Sequence, residues 1–115
     1  MYGNHFKYEE LVVTETGLPN SVSTADHLAN LACLWNTLNF IREKFGRPII
    51  VNSAYRTPEV NKKVGGAKRS LHMQGRAADI RCEPLYMDEL WKILERHKDD
   101  FSELIKHSTY YHIAL

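Results

Sequence analysis

Long apolar runs are missing from these 115 residues, so nothing in the sequence reads as a transmembrane helix. The opening residues are polar and do not form a secretion signal. Cysteine is scarce. Cys33 and Cys82 are too few for a disulfide scaffold or a four-thiolate zinc site, and both are expected to be small buried hydrophobes. A charge excess is missing too: 15 Lys+Arg against 14 Asp+Glu leave a net +1, which gives no global pull toward nucleic acid. Glycine (6) and proline (4) are sparse, which excludes a collagen-like fibre, and 43% hydrophobic residues exclude a disordered chain. What remains is a soluble globular domain, one by length, spanning 1–115.

The charges that are present are unevenly placed. Residues 42–81 hold 10 bases and 3 acids, between flanks that are each net acidic by 3. No repeat or linker separates these thirds. The opening HFKYEELV places Phe6 and Leu11 around a short acidic turn, read as a small helix or hook. A long helix is predicted over 24–44, with Leu28, Leu31, Trp35, Leu38 and Ile41 as its buried stripe. Ser23 or Thr24 caps its start, Gly46 ends it, and Pro48 keeps it from resuming. PIIVNS reads as a strand, and TPEVNKKV as a short helix with Thr57 as cap and Pro58 first. GGAKRS is a loop, GRAADIRC a strand, and 86–97 a second amphipathic helix with Met87, Leu90, Trp91 and Leu94 inward. FSELI and YYHIA read as closing strands joined by a turn at 107–109. The fold class is α+β: a small antiparallel sheet with helices packed against it.

Chemistry concentrates in Ser70-Leu71-His72-Met73-Gln74-Gly75-Arg76-Ala77-Ala78-Asp79, where a polar loop enters a strand. Gly75, Ala77 and Ala78 permit close backbone approach there. A loop histidine and a strand aspartate can point into one cleft, and His112, inside YYHIAL, needs a partner on its own face. Two histidines and a carboxylate suffice for a catalytic zinc with one open position. The spacing is not the helical HExxH arrangement. The bland alternative has His72 exposed on its loop, Asp79 capping a turn, and His112 hydrogen-bonded in the core.

Three segments then resemble one family. S-x-H-x-x-G-x-A-x-D is complete as Ser70, His72, Gly75, Ala77 and Asp79; VNSAYRTPEVNKKVGG resembles an S-G-Y-R-S-P-x-x-N run leading to two glycines; YYHIAL resembles a W-V-H-V-S ending. Together they resemble the D-alanyl-D-alanine carboxypeptidase family of zinc peptidases, in its endolysin-like branch, whose fold is similar to the hedgehog domain. The resemblance implies Zn2+ held by His72, Asp79 and His112, with zinc-bound water attacking peptide bonds of peptidoglycan stems or crosslinks. It implies that Arg56 holds a substrate carboxylate or stabilises an oxyanion, against the alternative of a structural salt bridge. Ser53 and Gln74 border the implied cleft, either binding substrate or satisfying loop backbone. Tyr55 and Asn61 are read as architectural.

The general base is harder to assign. Several family members carry a carboxylate three residues before the last histidine, where this chain has Thr109. His107 is the leading candidate, against a role as oxyanion donor or as an exposed turn residue. Glu103 is the other candidate. It shares strand parity with Ile105, a side chain read as facing away from the cleft, which limits its reach. If neither acts, the chain is a non-catalytic zinc-containing binding or structural module of a phage or cell-wall assembly. The basic run Lys62, Lys63, Lys68 and Arg69 reads as solvated surface or as a rim attracting an anionic wall polymer, rather than a nucleic-acid patch. The expected partners are peptidoglycan peptides, with no nucleic acid and no membrane insertion, and the chain is expected to be a monomer. Synthesis in the cytoplasm, with action at the wall after phage lysis or export, fits the lack of a visible signal.

Overall fold

The computed structural model describes residues 3–115. Its elements follow the predicted order: α1 (Tyr8–Leu11), α2 (Ala25–Phe45), β1 (Ile50–Ser53), α3 (Pro58–Lys63), β2 (Ala77–Arg81), α4 (Met87–Arg96), β3 (Glu103–Lys106) and β4 (Tyr111–Ala114). Short 3-10 turns cover Leu71–Gln74, Pro84–Tyr86 and Lys98–Asp100. Among the described residues, no helix is long and apolar enough to cross a membrane.

The ends of α2 follow from local chemistry. Thr24 Oγ1 accepts from His27 N at 3.2 Å, and Gly46 takes the left-handed conformation at φ +76° while its N–H closes on the Arg42 carbonyl. Thr57 caps α3 in the same way, accepting from Val60 N at 3.1 Å, with Pro58 in the first turn.

The four strands form one antiparallel sheet in the order β1-β2-β4-β3. Val51, Ala78, Ile80, Tyr111 and Ile113 join the core built with α2 and α4. Because successive strand residues alternate sides, Ala77, Asp79 and His112 belong to the opposite face, and the turn at Leu71–Gln74 packs against β2. One irregularity matters there. Val51 pairs with Ile80, but Ser53 pairs with Asp79, so a bulge at Asn52 lets two residues of equal parity serve opposite faces.

The stripe of α2 is phased differently from the expectation. Leu31, Leu34, Leu38, Ile41 and Phe45 are buried, whereas Leu28 is 52% exposed. Leu28 lies in the helix's first turns, where it lines an apolar surface groove with Phe6, Tyr8 and Trp35. Trp35 is half-buried, and its Nε1 donates to the Phe6 carbonyl at 2.8 Å. Cys82 is buried as expected, but Cys33 is exposed because it falls off this stripe. On α4, Leu90 and Leu94 are fully buried, with Met87 and Trp91 packed against the core.

Candidate metal centre

Three elements deliver the three donors. β2 carries Asp79 and β4 carries His112 directly opposite it, so adjacent strands bring carboxylate and imidazole onto one face. His112 Nδ1 lies 2.8 Å from Asp79 Oδ1. His72 comes from the 3-10 turn before β2. Ser70 Oγ accepts from His72 N at 3.2 Å to start that turn, and Gly75 ends it at φ +74°. The turn is pinned against α2, where Asn30 Nδ2 donates to the Gln74 carbonyl at 2.9 Å. His72 is 3% exposed, and its Nε2 stands 3.3 Å from Asp79 Oδ1.

The protonation pattern of His72 follows from its other nitrogen. Nδ1 lies 2.6 Å from the Ala54 carbonyl oxygen. A carbonyl only accepts, so Nδ1 donates to Ala54, and Nε2, which faces Asp79, is the nitrogen left to bind an ion. One donor atom from each of His72, Asp79 and His112 lies within 4.8 Å of the others, the one such cluster among the described residues. With bonds of about 2.0–2.1 Å, two donors on a tetrahedral ion stand roughly 3.3 Å apart, so this N, O, N set fits a zinc-sized ion. The donors are withdrawn from the exposed surface, with Asp79 only 8% exposed.

Arg56 closes the side of the cluster toward β1. Its Nε donates to Ser53 Oγ at 2.9 Å, Nη1 to Asn61 Oδ1 at 3.2 Å, and Nη2 to Asp79 Oδ2 at 3.4 Å. Asn61 is held in turn, with Nδ2 donating to the Ala67 carbonyl at 2.9 Å. A Cβ on Gly66 would collide with Asn61 Oδ1 and approach Arg56 Nη1, so this glycine is required by close packing. A cavity of about 160 Å3 opens beside Arg56, walled by Val13, Glu15, Asn52 and Val64 among others.

Charges here are strongly coupled. Burial alone would push the Asp79 carboxyl up, but hydrogen bonds from His112 and His72 outweigh it and hold the group well below the usual carboxylate range. His112 is raised by its hydrogen bond to Asp79, which exceeds the opposing effect of burial, with Glu103 adding to the rise. Burial lowers the Arg56 guanidinium from its ordinary value, while Asp79 works against that. Such a group stays a cation near neutral pH.

The remaining candidates are distributed unevenly. Ser53 is in the cluster, as Arg56's acceptor. Gln74 is directed elsewhere, with its Oε1 accepting from Arg76 Nη1 at 3.4 Å. His107 sits at the β3–β4 turn, its N–H donating to the Tyr110 carbonyl at 3.0 Å and its ring stacked on Tyr110 at 4.4 Å. No hydrogen bond or ion pair joins it to the three donors among the described residues. Glu103 reverses its expectation. Ile105 pairs with His112 and therefore shares its face, and Glu103, two residues earlier, reaches His112 Nε2 with Oε1 at 2.8 Å. The Ala54 carbonyl went unnoticed in the sequence because a backbone acceptor has no residue-type signature.

Comparison with known proteins supplies the last observations. A family model described as Peptidase M15 matches residues 4–114. The zinc D-Ala-D-Ala carboxypeptidase of Streptomyces albus G is 44% identical over 61 residues, covering 51% of this chain. The match spans 24% of that relative's own length.

Proposed function

The chain belongs to the Peptidase M15 family, and from that membership we propose that it is a zinc peptidase hydrolysing peptide bonds in peptidoglycan stems or crosslinks. The observation that carries this reading is the convergence of His72 Nε2, Asp79 Oδ1 and His112 Nδ1 on one face of the sheet, next to a cationic Arg56. His72, Asp79 and His112 would hold the ion. When bound, zinc supplies Lewis acidity and lowers the pKa of a water molecule.

The chain's own groups do the rest. Arg56 has donors beyond the three that its neighbours take, and these are available to a substrate carboxylate or a developing oxyanion. Ser53 and Asn61 hold its plane fixed, so little ordering is required when substrate arrives. For proton transfer we assign His107. It lies in the turn five residues before His112, and a neutral imidazole accepts a proton near pH 7. The substrate assignment follows the named activity of the Streptomyces relative and the cationic cleft, which suits peptides bearing free carboxylates.

Metal analysis combined with digestion of purified peptidoglycan tests this. We expect one zinc per chain and release of new amino termini or free D-alanine, both abolished in His72→Ala. A protein with no stoichiometric metal that is inert on every peptidoglycan type would remove the proposal. One observation favours a second reading, a zinc-holding module without turnover: Thr109 occupies the place of the carboxylate found in several family members. That reading predicts bound zinc, no hydrolysis above background, and no change in His107→Ala.

A further inference from the structure

His112 presents Nδ1 to the donor cluster, and its second nitrogen is also engaged. Glu103 Oε1 lies 2.8 Å from Nε2. We propose that Glu103 is a positioning residue that keeps the His112 proton on Nε2, so that Nδ1 offers its lone pair to the ion. This rests on the zinc reading above and deepens it.

The argument is one of proton counting. A neutral imidazole has one N–H and one bare nitrogen, and an ionised carboxylate can only accept. Without an ion Nδ1 donates to Asp79; the nitrogen that binds a cation must be bare, so on binding that proton is released and the one that remains has to reside on Nε2, where Glu103 receives it. His72 solves the same problem with the opposite nitrogens: its Nδ1–H goes to the Ala54 carbonyl, freeing Nε2. The two histidines therefore present different ring atoms, each selected by a different outer partner. Metal-bound histidines commonly carry such a partner, which sets ring orientation and basicity.

The same geometry argues against Glu103 as the base. The two nitrogens of an imidazole point away from each other across the ring. A carboxylate bonded to Nε2 stands on the opposite edge from Asp79 and the donor atoms, and it is occupied while that bond lasts. Its arrival there is a consequence of register. Ile105 opposes His112 on the β3–β4 ladder, and Glu103 is the diagonal neighbour on the same face, within reach of a long side chain. Glu103 itself is 43% exposed on its side chain, so substitution leaves no buried hole and the fold should persist.

The test compares wild type, Glu103→Ala and Glu103→Gln in zinc affinity, measured by competition with a chromophoric chelator. Imidazole 15N–1H correlation spectra of the zinc-loaded proteins give the His112 tautomer. We expect wild-type His112 as the Nε2–H form. Glu103→Ala should bind zinc about 10–100-fold more weakly, the effect typical of losing such a partner. Glu103→Gln, whose amide oxygen still accepts from Nε2–H, should recover most of that affinity and keep the tautomer. Unchanged zinc affinity in Glu103→Ala, with zinc bound normally by wild type, overturns this inference alone. So does Glu103→Gln that binds zinc like wild type but loses turnover by about 10²-fold or more, the signature of a general base. Wild type that binds no zinc overturns both this inference and the peptidase reading.

Discussion

Gly75 lies at the junction of the turn carrying His72, the strand carrying Asp79 and the helix supporting both, which makes its replacement by alanine a sharp test. Two costs add at this position. At φ +74° an L-residue pays roughly 1–2 kcal/mol for the left-handed conformation. In addition, the new Cβ would stand 2.7 Å from the His27 carbonyl oxygen and 3.3 Å from Leu31 N. Those are backbone atoms inside α2 and cannot swing aside, so forcing the turn off the helix adds about 1–3 kcal/mol of overpacking. Gly75→Ala should therefore lose roughly 2–5 kcal/mol. Gly46 supplies the control. Its φ is +76°, but an added Cβ there meets nothing within 4 Å, so Gly46→Ala should cost only the conformational part. Urea unfolding followed by circular dichroism measures both. For a domain of this size the melting temperature should fall by about 4 °C per kcal/mol. Gly75→Ala should also weaken zinc binding, because the turn it lifts holds His72, while Gly46→Ala should not. Equal losses of stability in the two variants would show that the turn and α2 are not in the close contact described here, and the argument for glycine in this motif would fail.

Other expectations follow from single contacts. Gly66→Ala places a methyl against Asn61 Oδ1 and displaces the clamp on Arg56, so peptidoglycan hydrolysis should fall at least tenfold while the zinc content, measured by atomic emission, stays at the wild-type value. The two thiols should differ in reactivity. Cys33 is exposed and should be alkylated by iodoacetamide in the native protein, whereas burial pushes the Cys82 thiol up and, with Glu83 and Glu89 adding, keeps it protonated and shielded until unfolding; mass spectrometry after a short pulse at pH 8 checks this. Removing zinc with a chelator should lower the melting temperature, since an ion that binds only the folded state at 100 times its Kd adds about 2.7 kcal/mol, and Asp79→Asn should lose most of that increment.

How far the sequence reveals this arrangement depends on the range of the interactions involved. The limits of α2 are legible because Thr24 and Gly46 act within one helical turn of themselves. The phase of its stripe is less so. Leu28, Leu31, Trp35 and Leu38 share helical spacing with each other, and only the position of the sheet decides that Leu34 is buried and Leu28 is not. His72, Asp79 and His112 stand out as polar residues beside small ones in a loop and two strands, but spacing alone leaves the bland alternative open, and it is the resemblance to the D-alanyl-D-alanine carboxypeptidase family that implies them as one ligand set. Glu103 was harder to read for a different reason. Its face depends on the register of a hairpin, set by the His107 N–H to Tyr110 carbonyl bond that closes the turn, and a slip of one residue would have turned Ile105 and Glu103 away from His112.

That dependence on register extends across the sheet. Ser53, Asp79, His112 and Ile105 occupy one row, each paired with the next across β1, β2, β4 and β3. Strict alternation along β1 would send Ser53 to the core with Val51, and Arg56 would lose the hydroxyl that receives its Nε. The extra residue at Asn52 prevents this by shifting the strand's parity once, after its core contact is made and before the segment leading to Arg56. The bulge thus separates two demands on a four-residue strand: Val51 fills the core at one end, and Ser53 supports the cationic wall of the cleft at the other. Deleting Asn52 would make Ser53 the direct neighbour of Val51, so plain alternation would then keep Val51 in the core and Ser53 opposite Asp79, and the deletion should remove the bulge without exchanging faces. Hydrolysis should therefore survive that deletion, whereas Ser53→Ala, which removes the hydroxyl that receives Arg56 Nε, should lower it; equal loss in both variants would show that the side chain at 52, and not the parity of the strand, serves the cleft.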